Sequence, residues 1–184
     1  MYFAKLNRGV AIAAILLVSQ AVLADDAPQL TAQQQQAAIS DLRGRKLVFP
    51  IAHFDVQRIK GSFDEMHGGE KHRASDILAP AGTPIHAVDD GRIAKLFNSK
   101  TGGTTIYQFD SQKHFVFYYA HLQKYAEGLK DGSAVQKSDI LGYVGSSGNA
   151  SSDAPHLHFE ITISGKDSRW WNIPAIDPYL VFQK

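Results

Sequence analysis

Apolar and polar residues alternate most regularly at residues 156–163. Leu157, Phe159, Ile161 and Ile163 fall on one face of an extended chain, and His156, His158, Glu160 and Thr162 on the other. The same two-residue period runs in shorter pieces from residue 47 onward. Residues 85–88 and 92–97 flank Asp89-Asp90-Gly91, which predicts a hairpin. Residues 104–109 and 114–121 flank residues 110–113, which predicts a second, and residues 140–144 read as another short strand. Gly and Pro punctuate these segments about every ten residues, which leaves no room for repeated βαβ crossovers. The pattern predicts a mostly β fold built on antiparallel sheet.

Ahead of residue 47 the pattern is helical. Thr31-Ala32-Gln33-Gln34 has capping-box spacing, Ile39 and Leu42 share one side, and Gly44 suits a helix end. A short N-terminal helix over residues 31–43 is expected, as a strut, a spacer or a cover over a groove. Its glutamines read as a solvated face. The segment Asp177-Pro178-Tyr179-Leu180 is expected to close the core.

The first 24 residues follow another rule. Lys5 and Arg8 precede an apolar run at residues 10–18, and Ala21-Val22-Leu23-Ala24 offers small residues for cleavage before Asp25-Asp26. This predicts a signal peptide over residues 1–24. A membrane anchor needs about 20 apolar residues, and residues 9–24 are fewer and include Ser19 and Gln20. The mature chain is therefore expected to be exported, periplasmic or secreted, with no stable membrane anchor. Residues 25–46 would form a helical or linker segment, and residues 47–184 the main domain.

Composition supports one globular unit, since 44% of the 184 residues are apolar and 20% charged. Losing Lys5 and Arg8 with the leader removes two positive charges from the +1 of the whole chain, leaving −1. No electrostatic footprint for nucleic acid remains. Cysteine is absent, which excludes a disulfide framework, a Cys-based zinc finger and a thiol nucleophile.

The candidate chemistry rests on histidine, of which there are eight. No GxSxG elbow, phosphate loop or HExxH helix is present. His156-Leu157-His158 puts two imidazoles on one strand face, and neutral imidazole is a common zinc ligand. About 0.3 such pairs arise by chance in a chain this rich in His, so the context carries the weight. The pair heads a strand whose other face is apolar, and it follows a Gly/Ser/Asn/Asp-rich loop at residues 145–155. His72-Arg73-Ala74-Ser75-Asp76 places an imidazole and a carboxylate within reach of one ion on a bent extended segment. His86 and Asp90 repeat that spacing, but Asp90 belongs to a turn with Gly91 and is a weak candidate. His121 ends a predicted strand on the face of Phe115, Phe117 and Tyr119, where either core packing or a site role would suit it; Tyr119 would line a groove or pack inside. His72, Asp76 and His158 would make a His₂Asp set with one coordination position open, as in catalytic zinc sites. His121 and His156 would then be nearby imidazoles outside the ligand set.

Several blocks in order carry a resemblance. Gly68-Gly69-Glu70-Lys71-His72-Arg73-Ala74-Ser75-Asp76-Ile77-Leu78-Ala79-Pro80 is followed by Ala81-Gly82-Thr83-Pro84-Ile85 and Asp90-Gly91. Tyr119-Ala120-His121-Leu122 comes next. Gly142-Tyr143-Val144-Gly145-Ser146-Ser147-Gly148-Asn149 then leads into Ala154-Pro155-His156-Leu157-His158-Phe159-Glu160. The chain resembles the M23 family of zinc metallopeptidases, the LytM/lysostaphin-type peptidoglycan endopeptidases, over residues 47–184. The resemblance implies an antiparallel β domain with an open active-site groove and one Zn²⁺ per chain. His72, Asp76 and His158 match the zinc ligands, and His121 and His156 the two catalytic histidines. It implies hydrolysis of peptidoglycan peptide cross-bridges by zinc-activated water, with the D-Ala–meso-diaminopimelate bond favoured over glycine bridges, an L,D bond or trimming of stems. The alternative it leaves is a non-catalytic module that activates another cell-wall hydrolase. A protein activator of this chain itself is a further open partner.

Overall fold

The computed structural model describes residues 29–164 and 173–184. The expected leader at 1–24 lies outside the described residues. Helix α1 (Ala32–Gly44) is followed by two 3-10 turns, Val56–Ile59 and Ser62–Asp64. Strands β1 (Met66–His67) and β2 (Glu70–Lys71) make a small hairpin, and β3 (Ser75–Leu78) and β4 (Pro84–His86) follow. The long strands are β5 (Gly91–Ser99), β6 (Gly103–Asp110) and β7 (Phe115–Tyr125). After β8 (Ala134–Val135) and β9 (Ile140–Val144) come β10 (His156–Ile163), β11 (Ala175–Ile176) and helix α2 (Pro178–Phe182). No helix among the described residues is long and apolar enough to cross a membrane.

Among the described residues, nine strands form one sheet whose pairings are all antiparallel, in keeping with the alternation. The backbone order runs β11-β10-β7-β6-β5-β8, with β3 added to β10, and β9 joining β4 to β7. Strand β10 is held on both edges: β7 along one, β3 and then β11 along the other. Its Leu157, Phe159 and Ile161 are fully buried, beside Phe117 and Tyr119 of β7. That apolar backing seats the opposite face, which carries His156, His158 and Glu160.

Helix α1 starts where the capping box is expected. The Thr31 hydroxyl accepts from the Gln34 amide at 3.2 Å, and the Gln34 side chain accepts from the Thr31 amide at 2.9 Å. Ala38, Ile39 and Leu42 enter the main core. The helix packs on α2 and β11, and no described residue of α1 lines the groove identified below. Of the roles open to it, the cover over a groove is therefore excluded for its described residues, and packing favours the strut. Arg45, just past its end, reaches Asp110 at 2.7 Å, and Asp110 also accepts from the Phe115 amide at 2.8 Å. This ties α1 to the β6–β7 turn, the second predicted hairpin. As expected, the tail closes the core through Tyr179 and Val181.

The first predicted hairpin does not form. Strand β4 pairs with β9, while β5 pairs with β6 and, at its start, with β8. Gly91 is read from sequence as a turn glycine, but its role is close approach. A Cβ there would overlap the Phe109 carbonyl oxygen. The same signal arises from a turn and from two backbones in contact, and only the pairing of β5 with β6 distinguishes them.

Candidate active site

His72 and Asp76 meet because the chain between them bends. Arg73 has a left-handed φ of 55°, and its amide bonds to the Phe63 carbonyl at 2.9 Å. The His72 amide bonds to the Glu65 carbonyl at 2.8 Å. The 3-10 turn at Ser62–Asp64 thus cradles the segment before β3 begins. Across the ladder, Asp76 is the direct antiparallel partner of His158, and Ala120 is its partner on the other side. Neighbouring Cβ atoms in such a pair stand about 5 Å apart, which brings both side chains to one point.

Three donor atoms converge there. His72 Nε2 lies 3.1 Å from His158 Nδ1 and 3.2 Å from Asp76 Oδ1, and His158 Nδ1 lies 3.1 Å from Asp76 Oδ1. The outward nitrogens are already engaged. His72 Nδ1 is 3.1 Å from the Ser62 carbonyl oxygen, which can only accept, so Nδ1 carries a proton, and in the neutral ring Nε2 presents its lone pair inward. His158 Nε2 donates to Glu160 Oε1 at 3.0 Å, leaving Nδ1 to face inward. Burial works to depress the His158 ring, but hydrogen bonds to Asp76 and Glu160 and the charge of both carboxylates push it up to about 9. Burial works to raise Asp76, but hydrogen bonds from His158 and His72 hold it well below the usual carboxylate range. The cluster is thus built around a positive charge. Two imidazoles and a carboxylate, with the imidazoles oriented by a carbonyl and a second carboxylate, fit a divalent ion such as zinc, whose nitrogen donors stand about 2.0 Å from the metal.

The remaining two histidines flank this point. His156 shares the face of His158, and its Nδ1 donates to the Ala154 carbonyl at 2.9 Å. His121 Nδ1 donates to the Ser147 carbonyl at 2.8 Å. In both rings Nε2 is therefore the unprotonated nitrogen of the neutral form. The ring centroids of His121 and His156 are 4.9 Å apart, and those of His121 and His158 5.7 Å. Burial lowers the His121 pKa below the usual histidine value, outweighing the hydrogen bond to Ser147. All five residues line a groove of ≈ 720 Å³, together with Tyr118, Glu160 and Asn149.

His121 does not lie on the face predicted for it. Phe115, Phe117 and Tyr119 are buried, and the Tyr119 hydroxyl bonds to Gln108 Oε1 at 2.8 Å inside the core. The groove side of β7 belongs to Tyr118 and Ala120. His121 leaves the alternation through a left-handed φ of 62°, next to irregularities in the pairing of β7 with β6 and β9. A non-glycine residue in that region costs about 1–3 kcal/mol, and such strain collects at functional sites. The loop at residues 145–155 supplies what sequence suggested of it, since Ser147 holds His121 while Asn149, Ala150 and Ser151 line the groove. Gly148, at φ 75°, is pressed against Thr101 and Gly103 and admits no side chain.

His86 and Asp90 are engaged elsewhere. His86 donates to the Ser138 carbonyl at 2.9 Å, and Asp90 accepts from the Lys137 amide at 2.7 Å. Sequence reasoning assigned no role to Glu160, although its position two after His158 on the same face was the available signal. It also passed over His67, on the β1–β2 hairpin at the groove rim, for which only the adjacent Gly68-Gly69 turn was a cue.

Residues 70–170 match the sequence profile of Peptidase family M23. The chain belongs to peptidase family M23. Among relatives, it is 31% identical over 140 residues to the peptidoglycan DD-endopeptidase ShyC of Vibrio cholerae, a match covering 72% of this chain and 31% of that protein. It is 31% identical over 118 residues to the L-Ala–D-Glu endopeptidase of Bacillus subtilis, covering 61% of this chain and 35% of that protein. The chain thus spans about a third of the length of these curated relatives. Among solved structures, the catalytic domain of the antimicrobial peptidase lysostaphin from Staphylococcus simulans is 28% identical, with a TM-score of 0.54. That match covers 76% of this chain and 93% of the lysostaphin domain. As in that M23 domain, the fold here is mostly antiparallel β-sheet.

Proposed function

We propose that this M23 chain is a zinc-dependent endopeptidase that hydrolyses peptide cross-links of bacterial peptidoglycan. The observation that carries the reading is the triangle of inward-facing donors, His72 Nε2, Asp76 Oδ1 and His158 Nδ1, with edges of 3.1–3.2 Å. His72, Asp76 and His158 would hold one zinc ion. When bound, the ion supplies a Lewis acid that makes water a nucleophile near neutral pH and polarises the scissile carbonyl.

The chain's own residues supply the proton chemistry. His121 is the general base in this proposal. Burial keeps its ring neutral, and the bond to Ser147 directs the lone pair of Nε2 away from the backbone. His156 stands beside it, ring centroids 4.9 Å apart, and is the less buried residue of the two. In its charged form its Nε2–H donates to the oxyanion that develops on the carbonyl. The proton taken up by His121 then passes to the leaving amine. Glu160 and the Ser62 carbonyl accept from the outward nitrogens of His158 and His72, so the inward nitrogens are the ones free to give up a proton to a metal. Burial holds the Tyr118 phenol up as a neutral O–H at the groove wall, with Tyr107 and Glu160 adding to the shift.

The substrate follows the relatives: ShyC is named for a DD bond and the Bacillus subtilis protein for L-Ala–D-Glu. The D-Ala–meso-diaminopimelate bond is our first assignment, supported by the longer overlap with ShyC. Action on wall peptides also supports the reading of residues 1–24 as an export signal. The test is to quantify zinc in the purified chain and incubate it with cross-linked muropeptides, beside His158→Ala. About one zinc per chain, with dimers converted to monomers by wild type alone, is expected, and the product masses identify the bond. Absence of both zinc and cleavage in wild type would overturn the proposal in favour of a regulatory binding module.

A further inference from the structure

His67 stands outside the five residues just assigned, on an element of a different kind. Strands β1 and β2 form a two-stranded sheet of their own, with Met66 paired to Lys71 and His67 to Glu70. The tip is Gly68-Gly69, both left-handed at φ 63° and 94°. All four strand residues are exposed. Among the described residues it is held by exposed side-chain contacts, such as Lys71 to Asp64 at 3.2 Å, and not by an apolar back like that of β10. Even so, it carries an imidazole beside His72 and Asp76, two of the three donors. The His67 and His72 rings lie 4.2 Å apart at 21°. One donor atom each from His67, His72 and Asp76 all lie within 4.8 Å of one another. His67 lines the same groove.

Two nitrogens on one zinc ion are at most about 4.2 Å apart, twice the usual metal–nitrogen distance. Donors at a tetrahedral zinc stand about 3.3 Å apart, so a His67 nitrogen within 4.8 Å of the His72 and Asp76 donors needs a shift of no more than about 1.5 Å to ligate. Stacked beside His72, the ring shows its flank, so ligation also needs rotation about its side-chain torsions. The side chain is 50% exposed, and Glu65, also exposed, lies 3.5 Å away. Both motions are cheap for an exposed side chain on a short hairpin with a glycine tip. Neither is as available to Asp76 or His158, which are paired with each other in the main sheet.

Resting on the zinc reading above, we propose that His67 is a fourth, exchangeable protein donor to the ion held by His72, Asp76 and His158. The resting centre is then closed, with three imidazoles and one carboxylate. Substrate enters after the hairpin lifts His67 away. A peptide that binds only the lifted state has its apparent affinity reduced by the fraction of chains in that state.

The test uses the zinc-loaded full chain and its His67→Ala variant. X-ray absorption at the zinc edge counts imidazoles on the metal, and chelator competition measures zinc affinity. Three imidazoles are expected in wild type and two in the variant, with zinc held about tenfold or more less tightly. The kcat/KM for cross-linked muropeptide should rise in the variant at saturating zinc. Two imidazoles in both proteins with equal zinc affinity would overturn the role of His67 and leave the proposed function standing. A wild-type chain that holds no zinc would instead remove the reading on which this role rests. Since His67 is exposed, the substitution leaves the fold intact, and thermal unfolding of the two metal-free proteins checks this.

Discussion

Two histidines reach the same groove from opposite kinds of support. His158 sits mid-sheet on β10, bonded across to β3 and β7, with fully buried Leu157 and Phe159 at its back. His67 sits on a hairpin of two short strands, with exposed residues throughout and glycines at the tip. The first arrangement holds its donor by pairing on both edges, with His158 Nδ1 3.1 Å from Asp76 Oδ1 of the adjoining strand. The second brings a donor near and leaves it free to move. Preorganised ligation comes from paired strands over an apolar face, and adaptable ligation from elements with little to bury.

That contrast is broken hardest at β10. His158→Ala removes the donor seated mid-sheet, so zinc should be held far more weakly even with His67 present, and cleavage of muropeptides should fall to background. Metal analysis and a digestion assay on one preparation check both. His121→Ala separates chemistry from metal binding. Zinc content should stay at the wild-type level while kcat/KM drops about 10²- to 10⁴-fold. Zinc loss in that variant would show that His121 belongs to the ligand set instead.

A finer test concerns what orients the rigid donors. Glu160→Ala should weaken zinc binding about 10- to 100-fold, and Glu160→Gln, which still accepts from His158 Nε2, should weaken it less. Equal losses would assign the effect to charge and not to orientation. The same ring governs a pH effect. His158 is raised from 6.5 to about 9 in the folded, metal-free chain. Its contribution to stability is therefore complete below about pH 6.5 and is lost as pH rises through about 9. Asp76, held low, contributes above its ordinary value of 3.8 and loses that contribution as pH falls. Between pH 6.5 and 9 the metal-free chain should soften, and the rise in Tm on adding zinc should grow, because zinc takes the place of the departing proton. Calorimetry with and without chelator measures this. At the small end, Glu70→Ala on the exposed hairpin should change stability by no more than about 0.5 kcal/mol, read as a shift in a denaturation midpoint.

Much of the fold was legible in advance. The alternation along β10, the β6–β7 hairpin and the capping box of α1 are local patterns, and each appears where its residues predict it. The reading failed where a local pattern has two causes. Asp90-Gly91 resembles a hairpin turn, yet Gly91 is there because the Phe109 backbone passes against it. Alternation put His121 with Phe117 and Tyr119, but a single left-handed residue moved it to the other face.

The residue types for the chemistry, and their order along the chain, are written in the sequence. His72-Arg73-Ala74-Ser75-Asp76 and His156-Leu157-His158 are recognisable because strand period and a short bend place side chains at short range. Convergence is another matter. Asp76 and His158 are 82 residues apart and meet through β3–β10 register. Ser147 holds His121 from a loop 26 residues away, and Ser62 holds His72 from a 3-10 turn. These partners are a serine carbonyl in each case, so no side-chain pattern marks them. His67 comes beside His72 only because the β1–β2 hairpin lies along the groove. Local periodicity encodes which face a residue takes, but which faces meet is settled by burial of the shared core and by the backbone pairing that burial permits.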